Sequence, residues 1–193
     1  MVILRATQKV LRSLPETAGE TEISDTALGD WYLNRITVDR QPLILLVSSK
    51  SRLSMLTPAR DVKSLPSRIG GMLAVRLQRL GVDPHLIHAE VEEMNVARIG
   101  RTRDRSITGQ LVDFAKAIPY YIPVGTAADG ARLQLAEDKL AHTPCLCTRS
   151  ESETIWPDRD SARLLAERWS KQKTALFRFP CAFHSVVINF LAN

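Results

Sequence analysis

Two β-rich runs, WYLNRITVD at 31–39 and PLILLVS at 42–48, constrain this chain more than anything else in it. Aromatic and branched residues fill both, and Asp39-Arg40-Gln41 stands between them as a turn, so the pair reads as a hairpin. "LILLV" at 43–47 is apolar on both alternations, which makes it a central strand buried on both faces. Residues 2–6 read as a short strand, 8–14 as a helical turn stopped by Pro15, and 53–57 as a third strand before Pro58. Residues 16–29 are acidic and rich in small side chains, the composition of an exposed loop.

Helices follow. Ser64 can cap one, with Pro66 in its first turn. Ile69, Met72, Leu73, Leu77 and Leu80 keep helical spacing, and Gly81 is a stop. Arg68, Arg76 and Arg79 lie elsewhere on its surface. Asp83-Pro84 restarts a helix running to about 94. Residues 95–99 read as a strand and 125–130 as a loop. In 106–121, Ile107, Leu111, Phe114 and Ile118 fall on one helix face, with Ser106, Gln110 and Asp113 opposite. A last helix covers 158–171, with Leu165 and Trp169 one turn apart. The expected fold is α+β. An antiparallel sheet of about four to six strands comes mainly from residues 1–60 and 95–99, with helices packed against it. Residues 1–172 form a single domain. The apolar tail, 173–193, breaks the charge texture and reads as a closing strand or as an extension foreign to the domain.

Composition narrows the class. The chain is 45% hydrophobic and 24% charged, ordinary for a soluble globular protein, and its 193 residues can bury a core without staples. Cys145, Cys147 and Cys181 are too few and odd in number for a disulfide framework. The N-terminal MVILRATQKVLRSL carries Arg5, Lys9 and Arg12 and lacks the pattern of a signal peptide. No window reaches the roughly 18 apolar residues that span a bilayer. These features lead to the expectation of a cytoplasmic protein with no membrane association. A net charge of +5 favours phosphate-bearing partners without requiring them.

The densest chemistry is "ARIGRTRDRSITGQLVDFAKAIPYY" at 97–121, where Arg98, Arg101, Arg103 and Arg105 lead into a helix. A helix start offers unpaired N–H groups and partial positive charge. In an extended segment Arg101, Arg103 and Arg105 point the same way. Thr102, Ser106 and Thr108 add hydroxyls, and Gly100 and Gly109 allow close approach. The expected anion site is therefore Arg101, Arg103, Arg105, Ser106, Thr108 and Gly109. The structural alternative pairs these arginines with the acidic residues of the 16–30 loop or with Asp104 and Asp113. The pattern is not a P-loop, whose glycine spacing and lysine are absent.

Weaker constellations each have a plain structural role as the alternative. His85, His88 and Glu92 share a helix face and could meet a metal, or be a solvated polar face. His142-x2-Cys145-x-Cys147 with Cys181-x2-His184 could hold zinc, but C-x-C is tighter than the usual spacing and buried thiols explain the cysteines. The expectation is no metal and no cofactor. Asp30, Asp39, Asp104 and Asp113 could supply a carboxylate pair for phosphodiester chemistry. Trp31 and Tyr32 could stack a base or be core. No local signature singles out a nucleophile.

Three segments, "LRATQKVL" at 4–11, "LGDWYLNRITVDR" at 28–40 and "RTRDRSITGQLVDF" at 101–114, resemble in order and spacing a family of bacterial proteins known only as a domain of unknown function. The resemblance covers roughly residues 1–170. It marks Gly29-Asp30-Trp31 with Asp39-Arg40, and Arg105-Ser106 with Gly109 and Asp113-Phe114, as family features. Asp30, Trp31 and Arg40 are thus secondary site residues. The family pattern has Asn more often where Asp104 stands, and the tail departs from it. No activity comes with the resemblance.

Three functions remain open. The first is binding of nucleic acid or another phosphate-bearing ligand, such as a small molecule, through residues 98–109. The second is a protein-interaction module, such as half of a two-gene system, meeting an acidic protein partner. The third is a toxin-like ribonuclease or other phosphodiesterase using arginines for transition-state charge.

Overall fold

A computed structural model describes residues 1–122, 130–146 and 154–176, with side chains as far as residue 170. Five strands form the main sheet: β1 (Val2–Ala6), β2 (Trp31–Val38), β3 (Gln41–Ser48), β4 (Ser54–Pro58) and β5 (Ala97–Arg101). Their order is β4-β3-β2-β1-β5. β2, β3 and β4 are an antiparallel meander, but β1 runs parallel to both β2 and β5. The sheet is therefore mixed, not antiparallel as the sequence suggested. The cause is connection length. The long segment between β1 and β2, which includes helix α1 (Gln8–Leu11), and the helices between β4 and β5 return the chain in its original direction.

The hairpin forms at the expected place with a tighter turn. Val38 pairs with Gln41, and the two residues between them, Asp39 (φ 46) and Arg40 (φ 65), are both left-handed. A two-residue turn of that kind matches the natural twist of the flanking strands.

β3 is covered on both sides. Ile44 and Leu46 pack with Leu65, Ile69, Leu73 and Leu77 of α2 (Leu65–Arg79). Leu43, Leu45 and Val47 pack with Ile107, Leu111, Phe114 and Ile118 of α4 (Arg105–Tyr121) and with Leu133 and Leu140 of α5 (Gly130–Ala141). The result is three layers, helix on sheet on helix. Ile87 of α3 (Pro84–Glu93) and Leu165 and Trp169 of α6 (Pro157–Leu176) extend the first layer.

Local signals place most helix ends. Asp83 caps α3 by accepting from the His85 N–H, and Gly81 (φ 73) follows the end of α2. Ser64 precedes α2 but makes no capping bond. Its hydroxyl donates to the Asp61 carbonyl and accepts from Arg68, because a 3-10 turn at Ala59–Ser64 feeds the helix. β5 starts two residues later than read. β6 (Cys145–Leu146) and β7 (Thr154–Ile155) form a second, two-stranded ladder too short to leave a sequence signal. The 125–130 loop falls mostly outside the described residues, and Gly130 itself opens α5.

One buried carboxylate ties the first layer together. Glu90 on α3 accepts from the backbone N–H groups of Ala27 (2.8 Å) and Leu28 (3.0 Å) and from the Trp169 indole (2.9 Å). Burial pushes its ionisation above the usual carboxylate range, and those donors pull it back. Removing it leaves three buried donors unpaired. Glu90→Ala and Phe114→Ala are each expected to cost about 3–5 kcal/mol in urea melts, the first from stranded donors and the second from a core cavity. A loss under about 1 kcal/mol for either would contradict the packing described.

Candidate functional site

β1 is "VILRA", and all five residues are buried. Arg5 is 1% exposed, although it is a cation in the middle of a strand flanked on both sides. An unpaired charge in that position is prohibitively costly. The 16–30 segment supplies the partners. Arg5 Nε donates to Asp30 Oδ2 at 2.8 Å, and Nη2 donates to the Glu22 carbonyl. Asp30 Oδ1 accepts from the Ser24 N–H (2.9 Å) and hydroxyl (2.7 Å).

One glycine makes room for this arrangement, and a second makes room for the turn between β3 and β4. A Cβ at Gly100 would lie 2.8 Å from Arg5 Nη1. Gly29 has φ 77, and a Cβ there would lie 2.4 Å from Ser49 Oγ. The same segment closes the outer edge of β5. Thr17 Oγ1 accepts from the Ile99 N–H, and the Thr17 and Ala18 N–H groups donate to the Ile99 carbonyl.

The arginine segment meets this loop. Arg98 pairs with Glu22 at 2.6 Å and donates to the Thr17 carbonyl. Arg101 pairs with Glu16 at 2.8 Å. Arg103 lies 3.4 Å from Asp30 Oδ2 and donates to the Glu20 carbonyl at 3.2 Å. Even so, the Arg101 side chain is 72% exposed and that of Arg103 is 42% exposed. Arg105 is exposed, and among the described residues it has no ion-pair partner. Only Arg101 of the three lies on β5, so strand alternation does not align them.

At the mouth of α4, the Asp104 carboxylate accepts from the Ser106 N–H at 2.8 Å. The Thr108 hydroxyl and N–H both turn to the Asp104 carbonyl. Ser106 Oγ lies 3.4 Å from Arg52 Nη2. Gly109 is exposed, with open space where a Cβ would stand. The chain's own carboxylate thus already caps this helix.

Of the secondary residues, only Asp30 joins the cluster. Trp31 is buried in the α2 layer, and Arg40 sits in the turn at the far end of β2. Arg5 and Glu22 were not among the candidate site residues, and Tyr32, read as base-stacking or core, is 2% exposed in the core beside α4. Burial raises the ionisation of the Tyr32 phenol, a hydrogen bond from the Asp104 backbone opposes that, and the Asp30 and Asp104 charges reinforce it. One signal was available for Arg5: a cation inside an apolar strand must have a buried partner.

Among the described residues, no group of three or more His, Cys, Asp or Glu side chains converges as a metal set. His88 and Glu92 form an exposed pair at 3.1 Å. Cys145 is buried, and that burial pushes its thiol up to about 11, so it is no ready nucleophile. Cys147, Cys181 and His184 lie outside the described residues. No described helix is long and apolar enough to cross a membrane.

Fold and site together define a three-layer mixed-sheet domain with an arginine-rich strand end neutralised by an acidic loop. A family model described as a domain of unknown function, DUF6933, matches residues 3–160, and the chain belongs to that family. No curated protein and no solved structure matches it.

The buried and exposed pairs should separate by mutation. Arg5→Ala is expected to cost about 3–5 kcal/mol, because it strands the Asp30 carboxylate. Arg101→Ala is expected to leave the melting temperature unchanged. Thermal melts of the two variants side by side check this, and equal losses would contradict it.

Proposed function

We propose that the protein is a binding module whose arginines at the mouth of α4 take a phosphate-bearing ligand, nucleic acid above all. The residues are Arg101, Arg103 and Arg105, with Ser106, Thr108 and Gly109 beside them. The observation that carries this reading is the exposure of the arginines despite nearby carboxylates. Arg101 pairs at the surface with the part-exposed Glu16, Arg103 stays exposed although it lies 3.4 Å from the buried Asp30, and Arg105 has no ion-pair partner among the described residues. Exposed ion pairs contribute little to stability. An incoming phosphate can therefore displace Glu16 at small cost and gain charge-assisted, bidentate hydrogen bonds. The net charge of +5 adds long-range attraction for a polyanion.

A second reading has its own support. Glu16, Glu22 and Asp30 already complement Arg101, Arg98 and Arg103. An acidic protein segment carrying the same groups would meet the same surface.

RNA and DNA titrations at several salt concentrations distinguish the two. Phosphate contacts give log K a slope of about −0.7 to −0.9 per contact against log salt. Arg103→Ala with Arg105→Ala is expected to weaken that binding by roughly tenfold or more while the fold stays intact. No salt-dependent binding in the wild type, together with a large fall in the melting temperature of the double variant, would assign these arginines to structure alone.

A further inference from the structure

α2 contains two adjacent glycines with different surroundings. A Cβ at Gly70 would lie 3.2 Å from Val91 Cγ1, so Gly70 serves the packing of α2 on α3. A Cβ at Gly71 would meet nothing within 4 Å, and the backbone there has no positive φ. Glycine weakens a helix interior relative to alanine. Neither crowding nor conformation calls for it at 71, so what Gly71 preserves is open space.

That space is a cleft of about 550 Å³ between β4, α2 and α5, within the size range of small-molecule sites. Met55, Leu56, Met72, Val75 and Leu133 make its walls mostly apolar. Gly130 on the α5 side also has nothing within 4 Å of a Cβ. The cleft is not a free sheet edge. Glu137 Oε1 takes the Leu56 N–H at 2.7 Å, and Pro58 has no N–H to offer an added strand.

Its charged groups are unequal. Arg79 is paired with Glu137 at 2.8 Å, and Arg76 with Asp138 at 2.6 Å. Those charges cancel within the wall. Arg68 differs, because it donates only to neutral acceptors, Ser64 Oγ at 3.0 Å and the Asp61 carbonyl at 3.4 Å. Arg68 is exposed at the rim, and among the described residues no carboxylate pairs with it. Arg76 Nε is also buried without a hydrogen-bond partner. An apolar cleft with one uncompensated guanidinium complements a molecule with an apolar body and a single negative head.

We infer that the cleft between β4, α2 and α5 is a binding site for a small amphipathic anion, with its body against Met72, Val75 and Leu133 and its head on Arg68. The site uses none of the residues around the mouth of α4, so it stands or falls separately from nucleic-acid binding.

The test uses two fluorescent probes of similar shape, 1-anilinonaphthalene-8-sulfonate and its uncharged counterpart N-phenyl-1-naphthylamine. The sulfonate is expected to saturate at one equivalent, to bind about tenfold more tightly than the neutral probe, and to be displaced by decanoate but not by decanol. Arg68→Gln is expected to remove the preference for the anion while weak binding of the neutral probe survives. Gly71→Leu is expected to abolish binding of both probes while raising the melting temperature, since leucine fills the cleft and favours the helix. Absence of saturable binding, equal affinity for the two probes in the wild type, or a Gly71→Leu protein that binds both probes unchanged would each overturn the inference.

Discussion

A guanidinium sealed inside the sheet governs the first third of this chain. β1 has a strand on each side of it, so Arg5 cannot reach water along the sheet. The segment from Glu16 to Asp30 therefore has to carry negative groups, and it has to lie across β1. Asp30 supplies the charge, Glu22 a carbonyl, and Ser24 the donors that hold Asp30 still. Gly100 follows from the same demand for space. The loop then does more than neutralise a cation. Its start closes the edge of β5, and Ala27 and Leu28 dock on Glu90. A stretch that looks like surface by composition is thus a covering layer of the core.

What the sequence made legible was whatever repeats locally. The two-faced burial of residues 43–47, the hairpin at 39–40 and the inward face of α4 all follow from periods of two and 3.6 residues. The direction of β1 does not, because it depends on partners at Trp31 and Ala97 far along the chain. α5 was missed for a related reason. Its buried face includes Glu137, which breaks the apolar stripe, and what makes that burial tolerable is Arg79 on α2 and the Leu56 N–H on β4. At the site, residue types alone could suggest an anion-binding surface or ion pairs with the 16–30 loop. Spacing could not show that Arg101 and Arg103 each find acidic groups there, nor that Asp104 turns back to cap its own helix.

Glu90 and Glu137 play matching parts in the two helical layers. Each lies on a helix, each is buried, and each accepts a backbone N–H from a segment the helix does not otherwise bond. Burial raises the ionisation of both, and donors offset it in both. Glu90 also binds Trp169, which lies beyond the residues that match the family, in the part of α6 that packs with Leu165 on the first layer. Polar contacts of this kind fix the direction in which an apolar helix face docks, a choice that burial of area alone leaves open.

The place of β1 in the sheet sets an order of events on the ribosome. β1, which precedes the other four strands in chain order, ends up between β2 and β5, and Val2 pairs with Ala97. The β2–β3–β4 meander can assemble from neighbouring segments as it emerges. β1 completes its pairing only once β5 has been synthesised, and only then can the 16–30 loop close over both. Contacts so distant along the chain are slow to form. A nascent protein stalled before residue 97 would lack β5 and carry a sheet with an open strand edge where β5 belongs, the kind of exposed edge that invites pairing between copies.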